Sequence, residues 1–174
     1  MKMKKLFLSL CLIVGVFILI IPLILGLRIN ITKSIPIGIY IITNEIPSKN
    51  DYVIFCPPNT HPFYEARNRG YIDIGFCPEN YSYMMKKIVA LEGDKVTISK
   101  NGVTVNNVFL PLSIPLSTDL QGKKLPEITI ANKILGKDEV LLMSDVSSTS
   151  FDARYFGLID KKQIKNVIHP ILIF

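Results

Sequence analysis

A mainly β body with one short helix, preceded by a single N-terminal transmembrane helix, is the architecture this sequence predicts. Three observations lead there. Residues 6–27 carry no charge, and as a helix rising ~1.5 Å per residue they can cross a hydrocarbon core of about 30 Å. Beyond Arg28 the chain breaks into short runs of β-branched and aromatic residues punctuated by Gly, Pro and Asn. Asn101-Gly102 stands between two alternating apolar runs, the strongest short-range hairpin signal.

The ends of the apolar segment decide how it is read. Lys2, Lys4 and Lys5 precede it, a basic cluster that keeps an N-terminus in the cytoplasm. A cleaved signal peptide shares that basic start, but its apolar region is shorter and ends in a small-x-small site. Leu23-Ile24-Leu25-Gly26-Leu27-Arg28 offers none. The expected organisation is a cytoplasmic basic tail (1–5), a transmembrane anchor (6–27) and a body on the far side of the membrane (28–174). Three of the 20 basic residues lie in the tail, which leaves 17 against 14 acidic residues in the body, a net of +3 out of +6. Those charges are dispersed, without an aromatic ladder or a groove-reading motif, so nucleic acid is not an expected partner.

Within the body, Gly38–Thr43 and residues 51–55 are expected to be paired strands across a turn containing Pro47. Residues 61–70 suit a short surface helix, with Pro62 near its start and Gly70 as its stop. Residues 83–91 form an apolar strand whose alternation sends Lys86 and Lys87 to opposite faces. Glu92-Gly93-Asp94 turns the chain into the hairpin of residues 95–99 and 103–105. Pro111, Pro115, Gly122, Pro126 and Gly136 break residues 110–136 into an irregular excursion with one short strand at 127–131. Residues 139–143 and 163–174 supply the last strands, and Pro170 suits the second to an edge.

Cys11 falls in the anchor, leaving Cys56 and Cys77 in the exported body. An oxidising compartment favours a disulfide between them, with two buried free thiols as the alternative. Their spacing is not that of a zinc knuckle, and His61 and His169 are the only histidines, so no metal or other cofactor is expected.

Three polar clusters stand at strand ends: Ser34 in Asn30-Ile31-Thr32-Lys33-Ser34-Ile35-Pro36, the Lys86-Lys87 pair, and residues 144–157. A serine needs a base to become a nucleophile. A Ser-His-Asp triad is arithmetically possible with His61 or His169. A lysine buried among Met84, Met85, Ile88 and Val89 would lose solvation, and its pKa would fall toward neutrality, where it can accept a proton. Two lysines reaching out to solvent from a strand are the structural alternative.

Taken in order, Ser34-Ile35-Pro36, then Met84-Met85-Lys86-Lys87-Ile88-Val89-Ala90-Leu91-Glu92-Gly93-Asp94, then Ser144-Asp145 with Ser150-Phe151-Asp152-Ala153-Arg154-Tyr155-Phe156-Gly157, the chain resembles the signal peptidase I superfamily, the S26 serine-lysine peptidases. Its short body, Ser-Ile-Pro segment and cysteine pair resemble most the TraF-like conjugative-transfer branch. The resemblance implies a signal peptidase I-like β-sheet or barrel catalytic domain. It further implies Ser34 as nucleophile and Lys86 as general base, with Ser150 orienting the amine and Asp152 with Arg154 as a supporting ion pair. The Ser34 backbone N–H and Thr32 would be the oxyanion donors. Ile35 in place of methionine and Ser144-Asp145-Val146 in place of Gly-Asp-Asn depart from the general pattern and disfavour a housekeeping leader peptidase. The branch implies an exported pilin precursor as substrate, processed through an acyl-enzyme and open to cyclisation. It also implies an enzyme held in a bacterial inner membrane with its catalytic domain in the periplasm, among other type IV secretion components. A non-catalytic, membrane-tethered β-domain of a secretion complex is the alternative from outside enzymology.

Overall fold

The computed structural model describes residue 15 and residues 24–174. Apart from residues 15 and 24–27, the expected anchor lies outside the described residues. Among the described residues no helix is long and apolar enough to cross a membrane. Leu27 is already the first residue of a strand.

Two antiparallel sheets share one apolar core. The larger has the order β1 (Leu27–Asn30), β2 (Gly38–Thr43), β11 (Ile164–Ile173), β3 (Tyr52–Phe55), β4 (Met84–Ala90), β9 (Glu139–Met143), β10 (Ile159–Asp160). The smaller has the order β7 (Val108–Phe109), β6 (Gly102–Val105), β5 (Lys95–Ser99), β8 (Ile130–Ile134). Val96, Ile98, Val103 and Val105 of the small sheet, alternating along their strands, meet Ile88, Leu141 and Leu142 of the large one in that core, and β9 is buried on both faces.

Two sequence expectations are corrected by this order. β2 and β3 are not paired with each other, because β11 lies between them and bonds both. β11 is therefore a central strand, not an edge. Pro170 is tolerated because β3, only four residues long, pairs no further than Ile168, while the following residues pair with β2 alone. The missing N–H of Pro170 thus falls where β11 has a partner on one side only, next to a register shift between Pro170 and Leu172. The strand expected at 127–131 is displaced to Ile130–Ile134.

The short helix α1 (His61–Asn68) has Pro62 in its first turn, and Gly70 just beyond it at φ 75. It is less of a surface excursion than its polarity suggests. Phe63 and Ala66 are buried, and the Phe63 ring stacks on Phe156 with centroids 4.8 Å apart. A short α-helical turn, α2 (Ala153–Phe156), has no hydrophobic period of its own and is capped by Asp152, whose side chain accepts the Arg154 N–H.

Cys56 and Cys77 are disulfide-bonded, with Cα atoms 5.5 Å apart across a sequence separation of 21. The bridge closes the loop that carries α1 and its continuation to Tyr71. Reduction is expected to lower stability by about 3 kcal/mol, from the chain entropy regained by a loop of this size. Denaturant unfolding with and without reductant measures it.

Candidate active site

The loop joining β1 to β2 presents Ser34 half-buried, while the side chain of the next residue, Ile35, is fully buried with Tyr40, Ile54, Met85 and Ile168. Strand β4 delivers the second group. Its alternation sends Lys87 outward, where Nζ is 3.1 Å from Asp145 Oδ2 and lies 5.6 Å from the centroid of the Tyr52 ring. Lys86 turns inward and is 1% exposed. Its Nζ is 2.9 Å from Ser34 Oγ and 2.8 Å from Ser150 Oγ. A neutral amine at this point can accept a proton from one hydroxyl while donating to the other.

Burial favours the neutral form. It lowers the Lys86 pKa to about 8, with Arg154 acting in the same direction and the nearby Asp152 carboxylate opposing both. Asp152 and Arg154 form a fully buried, two-pronged ion pair: Nε donates to Oδ1 at 2.7 Å and Nη2 to Oδ2 at 2.8 Å. The remaining guanidinium hydrogens go to backbone carbonyls, Nη1 to Ser148 at 2.6 Å and Leu112 at 3.0 Å, and Nη2 to Ser150 at 3.0 Å. The pair thereby holds together the Ser150 segment and the start of the 110–136 excursion.

Ser34, Lys86 and Ser150 open onto one cleft of about 380 Å³. Its walls are mostly apolar and aromatic: Met84, Leu116, Leu125, Phe151 and Tyr155, with Tyr71 from the disulfide loop. The excursion, irregular as expected, forms one side of it. Asp119 pins that side down, accepting a hydrogen bond from the Tyr71 hydroxyl and lying near the Arg69 guanidinium.

Of the residues singled out in the sequence, Ser34, Lys86, Ser150, Asp152 and Arg154 come together. Thr32 does not line the cleft: it is exposed, and its hydroxyl donates to Asn30 Oδ1 at 2.9 Å. His169 pairs with Glu45 at 2.8 Å, and neither histidine lines the cleft. Sequence reading passed over three residues that shape the Ser34 loop. Asn30 is buried and hydrogen-bonds inside it, the Tyr40 hydroxyl donates to the Pro36 carbonyl at 2.6 Å, and the Ser144 hydroxyl donates to the Lys33 carbonyl at 3.2 Å. Asn30 alternates with Ile29 and Ile31 as a solvent-facing residue would, so the sequence carries no signal of its burial.

Comparison with known proteins adds an independent observation. The family model for signal peptidase, peptidase S26, matches residues 1–172. A plasmid transfer protein TraF from Escherichia coli is 50% identical over 147 residues, covering 84% of this chain and 83% of that protein. A probable conjugal transfer protein TraF from Sinorhizobium fredii is 35% identical over 151 residues, covering 86% and 78%. A signal peptidase I from Enterococcus faecalis V583 superposes with a TM-score of 0.41 at 16% identity, over 73% of this chain and 100% of that one.

Proposed function

The chain belongs to the S26 signal peptidase family and is a TraF-like, conjugation-related member of it, and on that premise we propose that it is a membrane-anchored serine endopeptidase working through a Ser34-Lys86 dyad. The observation that carries this is the contact of 2.9 Å between a fully buried lysine amine and Ser34 Oγ at the floor of a cleft. A separation above about 5 Å, beyond proton-transfer reach, would have favoured a non-catalytic scaffold.

The steps follow from the contacts. Neutral Lys86 takes the Ser34 hydroxyl proton as Oγ attacks the scissile carbonyl carbon. Negative charge develops on the carbonyl oxygen, and the Ser34 backbone N–H is the donor nearest to hand. Thr32 can add a second only by releasing Asn30 Oδ1. The Lys86 ammonium then protonates the departing amine, leaving an ester on Ser34. Water resolves the ester to an acid, while an amine resolves it to a new peptide bond; Lys86 takes the proton from the attacking group and returns it to Ser34 Oγ as the ester bond breaks. Ser150 holds the amine in line, and the Asp152–Arg154 pair holds Ser150's segment.

The substrate we propose is an exported pilin precursor, met at the periplasmic face of the inner membrane to which the apolar segment ahead of β1 anchors the enzyme. The acyl-enzyme would be open to cyclisation by the pilin's own N-terminal amine. Mass spectrometry of the pilin from cells carrying the wild-type chain or Ser34→Ala tests the reading. Processing is expected to stop in the variant, and a wild-type product one water lighter than the trimmed linear chain establishes cyclisation. Normal processing in Ser34→Ala would sink the proposal.

A pH dependence follows from the lysine. Only its neutral form is a base, so kcat/KM is expected to rise with pH through about 8 and then level off. A profile already flat below pH 7 contradicts a base in this environment.

A further inference from the structure

The nucleophile loop has almost no regular backbone pairing, yet the carbonyls of Thr32, Lys33, Ile35 and Pro36 accept from side chains. Asn30, 5% exposed, sits at the end of β1 opposite Gly38 and turns its amide into the loop. Its Nδ2 donates to the Thr32 carbonyl at 2.8 Å, the Ile35 carbonyl at 3.0 Å and the Pro36 carbonyl at 3.0 Å. Its Oδ1 accepts from the Thr32 N–H at 3.2 Å and the Thr32 hydroxyl at 2.9 Å. The Lys33 carbonyl is taken by Ser144 Oγ, whose own N–H donates to Asp152 Oδ2 at 3.1 Å. The loop is therefore clamped from inside by one amide and from the far side by a hydroxyl tied to the buried ion pair.

These bonds bear on the two atoms of Ser34 that matter. In a trans peptide the N–H points opposite to the C=O of the same unit, so fixing the Lys33 carbonyl fixes the direction of the Ser34 N–H. Drawing the Thr32, Ile35 and Pro36 carbonyls onto one amide sets the loop's curvature around Ser34 and hence where Oγ meets Lys86. No side chain other than an amide does this here. A carboxylate of the same shape would set negative charge against three carbonyl oxygens, and alanine leaves the Thr32 and Ile35 carbonyls without this donor and the Pro36 carbonyl with the Tyr40 hydroxyl alone. Gly38 holds the exit of the loop equally tightly, since a Cβ there would come within 2.1 Å of the Leu172 carbonyl oxygen.

We propose that Asn30 is a positioning residue for the nucleophile, templating the loop so that the Ser34 hydroxyl meets Lys86 and faces the reacting carbonyl. It touches no substrate and acts through Ser34, and the proposal rests on the serine-peptidase reading above. Because displacing a reacting group by about 1 Å can cost on the order of 100-fold, Asn30→Ala is expected to lower kcat by about that factor. KM should stay within about twofold, since the apolar and aromatic walls of the cleft come from other segments. Asn30→Asp keeps the shape and the acceptor contacts but loses the donor, and is expected to fall as far. A residue that merely fills space would leave this variant active.

The test uses full-length chain and pilin precursor reconstituted together in proteoliposomes, with unfolding midpoints measured in parallel. Loss of kcat in both variants while they remain folded supports the proposal, and if one fails to fold the other carries the test. Wild-type kcat in a folded Asn30→Ala or Asn30→Asp chain overturns it, as does a drop confined to KM. Failure of both to fold also overturns it, making Asn30 a determinant of the fold. Absence of turnover by the wild-type chain would instead count against the peptidase reading itself.

Discussion

Exchange of Lys86 for methionine is expected to remove turnover, by at least about 1,000-fold, and at the same time to make the protein more stable at pH 7. The two effects have one source. Burial lowers the Lys86 pKa from 10.5 to about 8, so at pH 7 the lysine is charged in the folded and the unfolded chain alike, and the folded chain bears the cost of holding an ammonium away from water. A shift of that size corresponds to about 3 kcal/mol. The sign is fixed by proton binding: between about 8 and 10.5 the unfolded chain holds more protons than the folded one, so stability rises with pH across that window. The penalty is fully present below pH 8 and relieved above it. Methionine never bears it, so its advantage, reduced by the lost contacts to Ser34 and Ser150, is expected to be about 1–3 kcal/mol at pH 7 and to shrink as pH approaches 10.5. Urea unfolding of both chains at pH 7 and above pH 9 measures it. Equal stability at both pH values would mean that the amine is not desolvated.

Removing Asp152 is expected to do the reverse. The Asp152–Arg154 pair is 0% exposed on both sides, and Asp152→Ala leaves a guanidinium uncompensated in the interior, a loss of about 3–5 kcal/mol. Against a total stability of about 5–15 kcal/mol that brings the chain to the edge of unfolding at 37 °C, read as a lower melting temperature. Asp152→Asn, which keeps hydrogen-bonding oxygen, is the milder test of charge. The carboxylate raises the Lys86 pKa, so its neutralisation should move the rising limb of the pH–activity profile below pH 8, even where the protein stays folded.

Local signals carried much of this in the sequence. Asn-Gly marked the β5–β6 hairpin, Pro62 and Gly70 bracketed α1, and the run around Lys86-Lys87 implied one lysine inside and one outside. The resemblance to serine-lysine peptidases named Ser34, Lys86 and Ser150, which line the cleft, and the fully buried Asp152–Arg154 pair, but also Thr32, which lies outside the cleft. What the sequence did not carry was pairing at long range. That β11 enters between β2 and β3 depends on sheet order, which strand composition does not encode. The residues shaping the Ser34 loop were equally silent, because Asn30 and Ser144 act on backbone carbonyls and such contacts leave no spacing pattern. α2 was missed because four residues hold too few turns for a helical period.

The place of β11 also bears on when the molecule becomes competent. Ser34 lies just before β2, and Lys86 lies on β4. Within the sheet these halves are joined only through β11, which follows both β2 and β4 in the chain. Pairing it with β2 closes a loop of more than about 100 residues, the kind of distant contact that slows folding. A nascent chain exposing Ser34 first therefore has no sheet to hold it against Lys86 until residues 164–173 arrive. Strand order itself keeps Ser34 and Lys86 apart until β11 has paired.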